Sequence, residues 1–186
     1  MIIEFRNTIL KPMVKEDQKK ILEWRKRKEI SNVMITSIEK NTFEDQILWF
    51  NKIEKDKSFK YWVIYKGNEP VGVVNLSKIN YKEKSVNWAF YLADLSPSLQ
   101  GVGAKVEFMI INYVFFKMKY QKLLCQVLSN NLKVVELHKK FGFDQYKIEK
   151  SKYKKGNKIL DLHYLILTHE KVLKKNYNKI NFKYRD

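Results

Sequence analysis

The spacing of apolar positions along the 186-residue chain changes several times, and each change marks an element. Phe5 to Leu10 reads as a first strand stopped by Lys11-Pro12, and Asp17 through Lys28 as a helix with Ile21, Leu22 and Trp24 on or near one face. Thr42 is a candidate N-cap with Asp45 three residues on, a short-chain form of the capping box. Phe43, Ile47, Phe50 and Ile53 then mark an amphipathic helix to about Lys55. Tyr61–Tyr65 and Val71–Ile79 flank a Gly- and Pro-containing turn and read as a hairpin. Val86 to Leu92, rich in aromatic and β-branched residues, reads as a buried strand. After it, Val106, Met109, Ile110, Tyr113, Val114 and Phe116 recur at helical spacing, which predicts a helix from near Gly103. Lys122–Leu128 predicts a buried strand, Leu132 to Lys140 a second helix, and Tyr146–Tyr153 with Ile159–Leu167 two final strands. The sum is an α/β (α+β) fold with helices packed around one mostly antiparallel sheet. One domain is expected over residues 1–170, with the lysine-rich segment 171–186 as a solvated basic extension.

Composition narrows the class. A hydrophobic content of 45% with 14% aromatics excludes wholesale disorder. No apolar run approaches the ~20 residues that span a bilayer, so no membrane partner is expected. The N-terminus MIIEFRNTILK lacks the order of a signal peptide. One cysteine, Cys125, fits a reducing cytoplasm and, between Leu124 and Gln126, reads as a buried inert thiol. Three histidines and that cysteine show no metal-ligand spacing.

The net charge of +17 comes from 37 basic residues, of which only Arg6, Arg25, Arg27 and Arg185 are arginine. The lysines are spread between apolar positions along the whole chain, as on a solvated surface. A nucleic-acid binder more often carries a basic stripe with base-reading arginines, so specific nucleic-acid binding is not expected, and affinity for anionic substrates is the modest inference. Against that background Arg25, directly after Trp24, stands out, because a guanidinium fork grips phosphate bidentately where an ammonium acts as a point charge.

The stretch from Pro97 to Ala104 (PSLQGVGA) lies between a predicted strand and a predicted helix. Glycines without Cβ let a polyanion approach the backbone, and the first N–H groups of the helix are unpaired, so the stretch reads as a pyrophosphate cradle. A Gly-x-Gly by itself equally marks an ordinary turn.

About thirty residues on, Asn131-Leu132-Lys133-Val134-Val135-Glu136-Leu137-His138-Lys139-Lys140-Phe141-Gly142-Phe143 resembles the second signature of the GCN5-related N-acetyltransferases. Ser98-Leu99-Gln100-Gly101-Val102-Gly103 resembles the acetyl-CoA motif of the same family, and the strand order is similar over essentially the whole chain. Glu23-Trp24-Arg25, Met34 and Val71-Gly72-Val73 further resemble one bacterial branch, which acetylates the 4-amino group of a UDP-linked 4-amino-4,6-dideoxy-sugar in pseudaminic acid synthesis. Trp-Arg also occurs in relatives that acetylate protein N-termini, so that acceptor stays open, as does a non-catalytic, nucleic-acid-binding use of the fold.

The resemblance implies acetyl-CoA as cosubstrate, no metal, a small-molecule amine acceptor such as a UDP-amino-sugar, and often a homodimer. It places the cofactor between the splayed strands Val86–Leu92 and Lys122–Leu128. Its pyrophosphate would meet Ser98, Leu99, Gln100, Gly101, Val102, Gly103, Ala104 and Lys105, and its remainder Tyr91, Leu92, Asn131, Val134, His138 and Lys140. A backbone N–H near Tyr91 or Leu92 would polarise the thioester oxygen. For the acceptor, Arg25 is the candidate for the nucleotide phosphates with Trp24 as packing support, Met34, Gln46 and Tyr81 are candidates to line the pocket entrance or else ordinary packing and surface residues, and Gln126 is a further candidate. Three positions depart from the family pattern. Ser98 stands for Gln or Arg, which weakens one pyrophosphate contact. Gln126 stands where some sugar acetyltransferases have a glutamate base. His138 stands for the tyrosine that protonates the departing thiolate, and it is the candidate general acid. The alternative for His138 is that it only packs against the cofactor.

Overall fold

The computed structural model describes residues 1–93, 96–177 and 182–186. In chain order its strands are β1 (Ile2–Phe5), β2 (Thr8–Pro12), β3 (Lys60–Lys66), β4 (Glu69–Asn80), β5 (Ser85–Leu92), β6 (Lys122–Leu128), β7 (Asp144–Lys155), β8 (Lys158–Thr168) and β9 (Lys183–Arg185). Its helices are α1 (Gln18–Lys26), α2 (Lys28–Ser31), α3 (Phe43–Lys55), α4 (Val102–Asn112), α5 (Leu132–Lys140) and α6 (His169–Lys174). The strands join one sheet in the order β7-β8-β6-β5-β4-β3-β2-β1-β9. Neighbours are antiparallel except β5 and β6, which run parallel. No described helix is long and apolar enough to cross a membrane.

Strand side chains alternate between faces, so this sheet carries apolar clusters on both, with a third, smaller one of Leu128, Leu160 and Leu162 on β6 and β8. Trp62 and Ile64 of β3 pack with Val106, Met109 and Ile110 of α4. Val63, between them, packs on the opposite face with Ile21 and Trp24 of α1, Val73 and Tyr91. The helix at Phe43–Lys55 is capped as the sequence predicts: Asp45 N–H donates to Thr42 Oγ1 at 3.2 Å, and Thr42 N–H to Asp45 Oδ2 at 2.8 Å.

The parallel pair determines where a ligand can enter. β5 pairs with β6 through Ser85, Val86 and Asn87 opposite Lys122, Leu123 and Leu124. Beyond Asn87, β5 stays held by β4 as far as Leu92, and beyond Leu124, β6 stays held by β8 as far as Leu128. Each strand is anchored on its far side while the two part, and a V opens in the middle of the sheet.

Three expectations are corrected. The strand expected at Phe5–Leu10 is two strands, because Arg6 takes a left-handed φ of 55° and the chain reverses there. The helix expected to Lys28 ends at Lys26, because Arg27 is extended, with ψ 134°. The segment 171–186, expected as a solvated extension, is built into the fold where it is described, and residues 178–181 lie outside the described residues. Val172 of α6 is completely buried, β9 pairs with β1, and the Tyr184 hydroxyl donates to Asn112 Oδ1 at 2.6 Å. Apolar and aromatic residues threaded between the lysines supply these contacts, which a charge count conceals.

Behind the V, Gly72 of β4 is crossed closely by β5. A Cβ there would lie 2.2 Å from the Tyr91 carbonyl oxygen and 3.0 Å from Leu92 Cα, both backbone atoms that cannot swing aside. Gly72→Ala is expected to destabilise the protein by about 1–3 kcal/mol, lowering Tm by roughly 2–10 °C. Thermal denaturation tests this, and an unchanged Tm would show that β5 yields freely.

Candidate active site

The V opens into a cavity of about 320 Å³, a size suited to part of a small-molecule ligand. Trp88 to Tyr91 of β5 form one wall and Cys125 to Val127 of β6 the other. Asn131, Val134 and His138 close one end, while Arg25, Met34 and Thr36 contribute from α1 and the segment before α3. Arg25, Met34, Tyr91, Gln126, Asn131, Val134 and His138, all singled out from the sequence, therefore meet around one space.

Next to this space the glycine stretch forms the entry to α4. Gly101 has a φ of 79° and is the N-cap residue, so α4 starts at Val102, one residue before the sequence expectation. A side chain would strain that left-handed backbone, although a Cβ there would meet nothing within 4 Å. A Cβ on Gly103, by contrast, would come within 3.3 Å of the Phe90 ring, so the first turn of α4 lies directly against the strand that walls the cavity. Lys66 Nζ donates to the Ser98 carbonyl, and Lys105 Nζ to Asn7 Oδ1 at 2.7 Å, which holds two ammonium groups beside the loop. An open backbone cradle, unpaired helix N–H groups and two nearby cations together fit a pyrophosphate. Ser98 shares a 2.7 Å hydrogen bond with the Ser96 hydroxyl.

Strand geometry also separates Tyr91 from Leu92. Ala93 N–H donates to the Val71 carbonyl at 2.7 Å, so residue 93 turns its hydrogen-bonding groups toward β4. Alternation then turns the N–H groups of Leu92 and Phe90 toward the open side of β5, while those of Tyr91 face β4. Of the two candidates for polarising a carbonyl in the cleft, Leu92 has the fitting orientation. Its side chain packs into the α4-side core, outside the cavity wall.

His138 is 3% exposed, and its ring lies 5.3 Å from those of Trp88 and Phe143. Its Nδ1 is 2.8 Å from Oε1 of Glu107 on α4. Burial raises the Glu107 carboxyl above its ordinary pKa, and the hydrogen bond to His138 pulls it partly back. Glu107 was missed in the sequence, although a lone carboxylate in the apolar run from Val106 to Phe116 was the available signal. Burial raises the Cys125 thiol well above its ordinary pKa, with Glu107 adding to the effect, as suits an unreactive thiol.

Arg25 extends from α1 toward Tyr91, its guanidinium 5.9 Å from the centre of that ring. Its Nη2 donates to the Thr36 carbonyl at 3.0 Å and to Thr36 Oγ1 at 2.9 Å. Its Nε is buried with no hydrogen-bond partner. Desolvation lowers the Arg25 pKa from its ordinary value, opposed by the phenol groups of Tyr91 and Tyr61.

Three residues expected at the acceptor lie elsewhere. Trp24 is 4% exposed and packs in the core with Ile21, Ile30 and Val63, one helical position round from the cavity. Gln46 is buried where α3 meets α1 and donates to Gln18 Oε1 at 2.8 Å, because the α3 register aims it at α1. Tyr81 is exposed in the β4–β5 turn, donates to the Lys57 carbonyl at 3.2 Å and meets Tyr120 edge-on. Lys140, at the end of α5, is exposed outside the cavity wall, and its carbonyl accepts a hydrogen bond from Lys175 Nζ. Thr36, Trp49, Asn75 and Trp88 line the cavity without having been singled out.

Comparison with known proteins gives this geometry a family. An acetyltransferase PseH of Campylobacter jejuni is 29% identical over 133 residues, 72% of this chain and 80% of that protein. A second Campylobacter jejuni acetyltransferase PseH is 27% identical over 138 residues, 74% of this chain and 83% of that one. The Vibrio cholerae spermidine N-acetyltransferase, solved in complex with CoA and spermine, superposes with a TM-score of 0.81 over 90% of this chain and 98% of its own, at 19% identity. The profile of the acetyltransferase (GNAT) domain matches residues 10–164, which take in the splayed strands, the glycine loop and α5. The chain belongs to the GCN5-related N-acetyltransferase family and is an acetyl-CoA-dependent N-acetyltransferase.

Proposed function

We propose that the protein acetylates the 4-amino group of a UDP-linked 4-amino-4,6-dideoxy-sugar, by direct attack of the amine within a ternary complex. The observation that carries this reading is the charge of the cavity wall: Arg25 lines it, and among the described residues no carboxylate does. A desolvated guanidinium without an acid partner is costly and favours an anionic ligand such as a nucleotide diphosphate. A polyamine meets the opposite situation, with a cation in the wall and a net charge of +17 around it. The motif resemblance to the aminosugar branch and the similarity to two proteins named acetyltransferase PseH support the same acceptor.

In this reading the backbone N–H groups of Gly101 to Ala104 hold the pyrophosphate of acetyl-CoA, which supplies the activated acyl group, while those of Gln100 and Lys105 already donate to the Pro97 and Gly101 carbonyls. The V between β5 and β6 excludes water from its thioester. The Leu92 N–H polarises the carbonyl oxygen. His138 donates a proton to the departing sulfur, and Arg25 holds the acceptor's phosphates. Orienting both reactants contributes much of the acceleration.

The test is thiol release from acetyl-CoA with a UDP-4-amino-4,6-dideoxy-sugar, other amino sugars, a ribosomal-protein N-terminal peptide and spermidine. Turnover on the UDP-sugar at a kcat/KM at least tenfold above the rest is expected. Preference for the peptide would replace the acceptor with a protein N-terminus, and preference for spermidine would overturn the argument from wall charge.

A further inference from the structure

Glu107 is a carboxyl that packing alone does not require. Its helix neighbours Val106, Met109 and Ile110 are completely buried, and so is its own side chain. An apolar residue of similar volume would fill the same space. Burying a carboxyl is unfavourable unless it is hydrogen-bonded, and Glu107 is only half satisfied. Oε1 meets His138 Nδ1 at 2.8 Å, whereas Oε2 has no hydrogen-bond partner. The interaction that remains acts on the imidazole. Engaging Nδ1 settles which way the ring turns and leaves Nε2 as the nitrogen available to the cavity that His138 lines.

We infer that Glu107 is a positioning residue, which holds Nδ1 of His138 so that Nε2 faces the cleft as the proton donor. The inference rests on the general-acid role of His138 in the proposed function. As the acceptor nitrogen bonds to the acetyl carbon and the carbon–sulfur bond breaks, Nε2 gives its proton to the sulfur. The pair is left as a Glu107 carboxylate accepting from Nδ1–H. The proton lost by the amine passes to solvent, solvent restores the proton of the pair, and amine plus thioester become amide plus thiol. The other titratable groups that face the pair are Cys125 of β6 and Tyr177 after α6, and burial holds both toward their neutral forms. Burial favours the neutral form of Glu107 as well, and its hydrogen bond to His138 favours the carboxylate, so among the described residues Glu107 is the acid that shares a proton with the imidazole.

Glu107→Gln keeps the volume and removes the charge. In the unliganded protein, the NMR signals of the His138 ring nitrogens are expected to change, since a carboxamide in place of the carboxylate can donate to Nδ1 as well as accept from it. In turnover, kcat is expected to fall at least tenfold with the KM for acetyl-CoA little changed, because the ring no longer holds Nε2 toward the departing sulfur. Stability depends on pH. The native pKa of Glu107 is raised, so the native state binds its proton more tightly than the unfolded chain does. Wild type therefore loses stability relative to the glutamine variant as pH rises through that titration.

His138 ring-nitrogen signals and a kcat identical to wild type would overturn the inference, even with a lowered Tm. If His138→Phe lowers kcat while Glu107→Gln moves neither readout, the general-acid reading stands and only the role of Glu107 falls. If His138→Phe costs nothing, both fall. Should the glutamine variant fail to fold, Glu107→Asp keeps the charge but draws it back by one methylene. A kcat equal to wild type in that variant would equally overturn the inference.

Discussion

His138→Phe is expected to lower kcat by about 10²- to 10⁴-fold, the range for losing a positioned general acid, while acetyl-CoA still binds. The ring sits between Trp88 and Phe143, each 5.3 Å away, so phenylalanine occupies the same aromatic slot and the wall of the cavity keeps its shape. The pyrophosphate cradle at Gly101 lies on α4, not on α5, and is untouched. The variant does remove the single hydrogen bond of Glu107, whose carboxyl then stays protonated over a wider pH range in the dry interior. A modest fall in Tm is therefore expected alongside the loss of turnover, with a KM for acetyl-CoA close to that of wild type. Calorimetric titration with CoA separates the two effects. Unaltered turnover would reduce His138 to packing, the other role its motif position allows.

The structure explains why some of this was readable in the chain and some was not. Strands Val86–Leu92 and Lys122–Leu128 and helix Leu132–Lys140 lie within a residue of where the hydrophobic period puts them, because a buried element has little freedom in which side chains it turns inward. The glycine loop was legible because its φ of 79° at Gly101 leaves few residue types open. The turn at Arg6 was not, since an arginine at positive φ carries no such mark, and the polar run Arg6-Asn7-Thr8 is short enough to be taken for part of one strand. Gln46 and Tyr81 show the limit for polar residues. Helical spacing cannot separate a glutamine facing a cavity from one bonded to Gln18 on the next helix. Glu107 was missed because periodicity counts apolar positions, and its partner His138 lies 31 residues away on another helix. Such a pairing becomes visible only when α4 and α5 are packed together.

Arg25→Met is the second large effect expected, and it separates binding from chemistry. The KM for the UDP-sugar should rise about 10- to 100-fold, the scale of one or two charge-assisted hydrogen bonds, with kcat changed far less because the residue touches no reacting atom. Methionine keeps most of the volume beside Tyr91 and Thr36 and removes the charge. The guanidinium has a buried, unpartnered Nε, and desolvation already acts against its charged form. Taking that charge away costs the unliganded protein the two hydrogen bonds to Thr36 and the cation–π contact with Tyr91, offset by the relief of a buried charge, so its Tm should change little. An anion that binds Arg25 should separate the two proteins. With UDP added, wild type should gain Tm in proportion to ligand concentration, and Arg25→Met should gain little. Equal stabilisation of both by UDP would mean that the diphosphate is held elsewhere, and the acceptor would then have to be sought among uncharged or peptide amines.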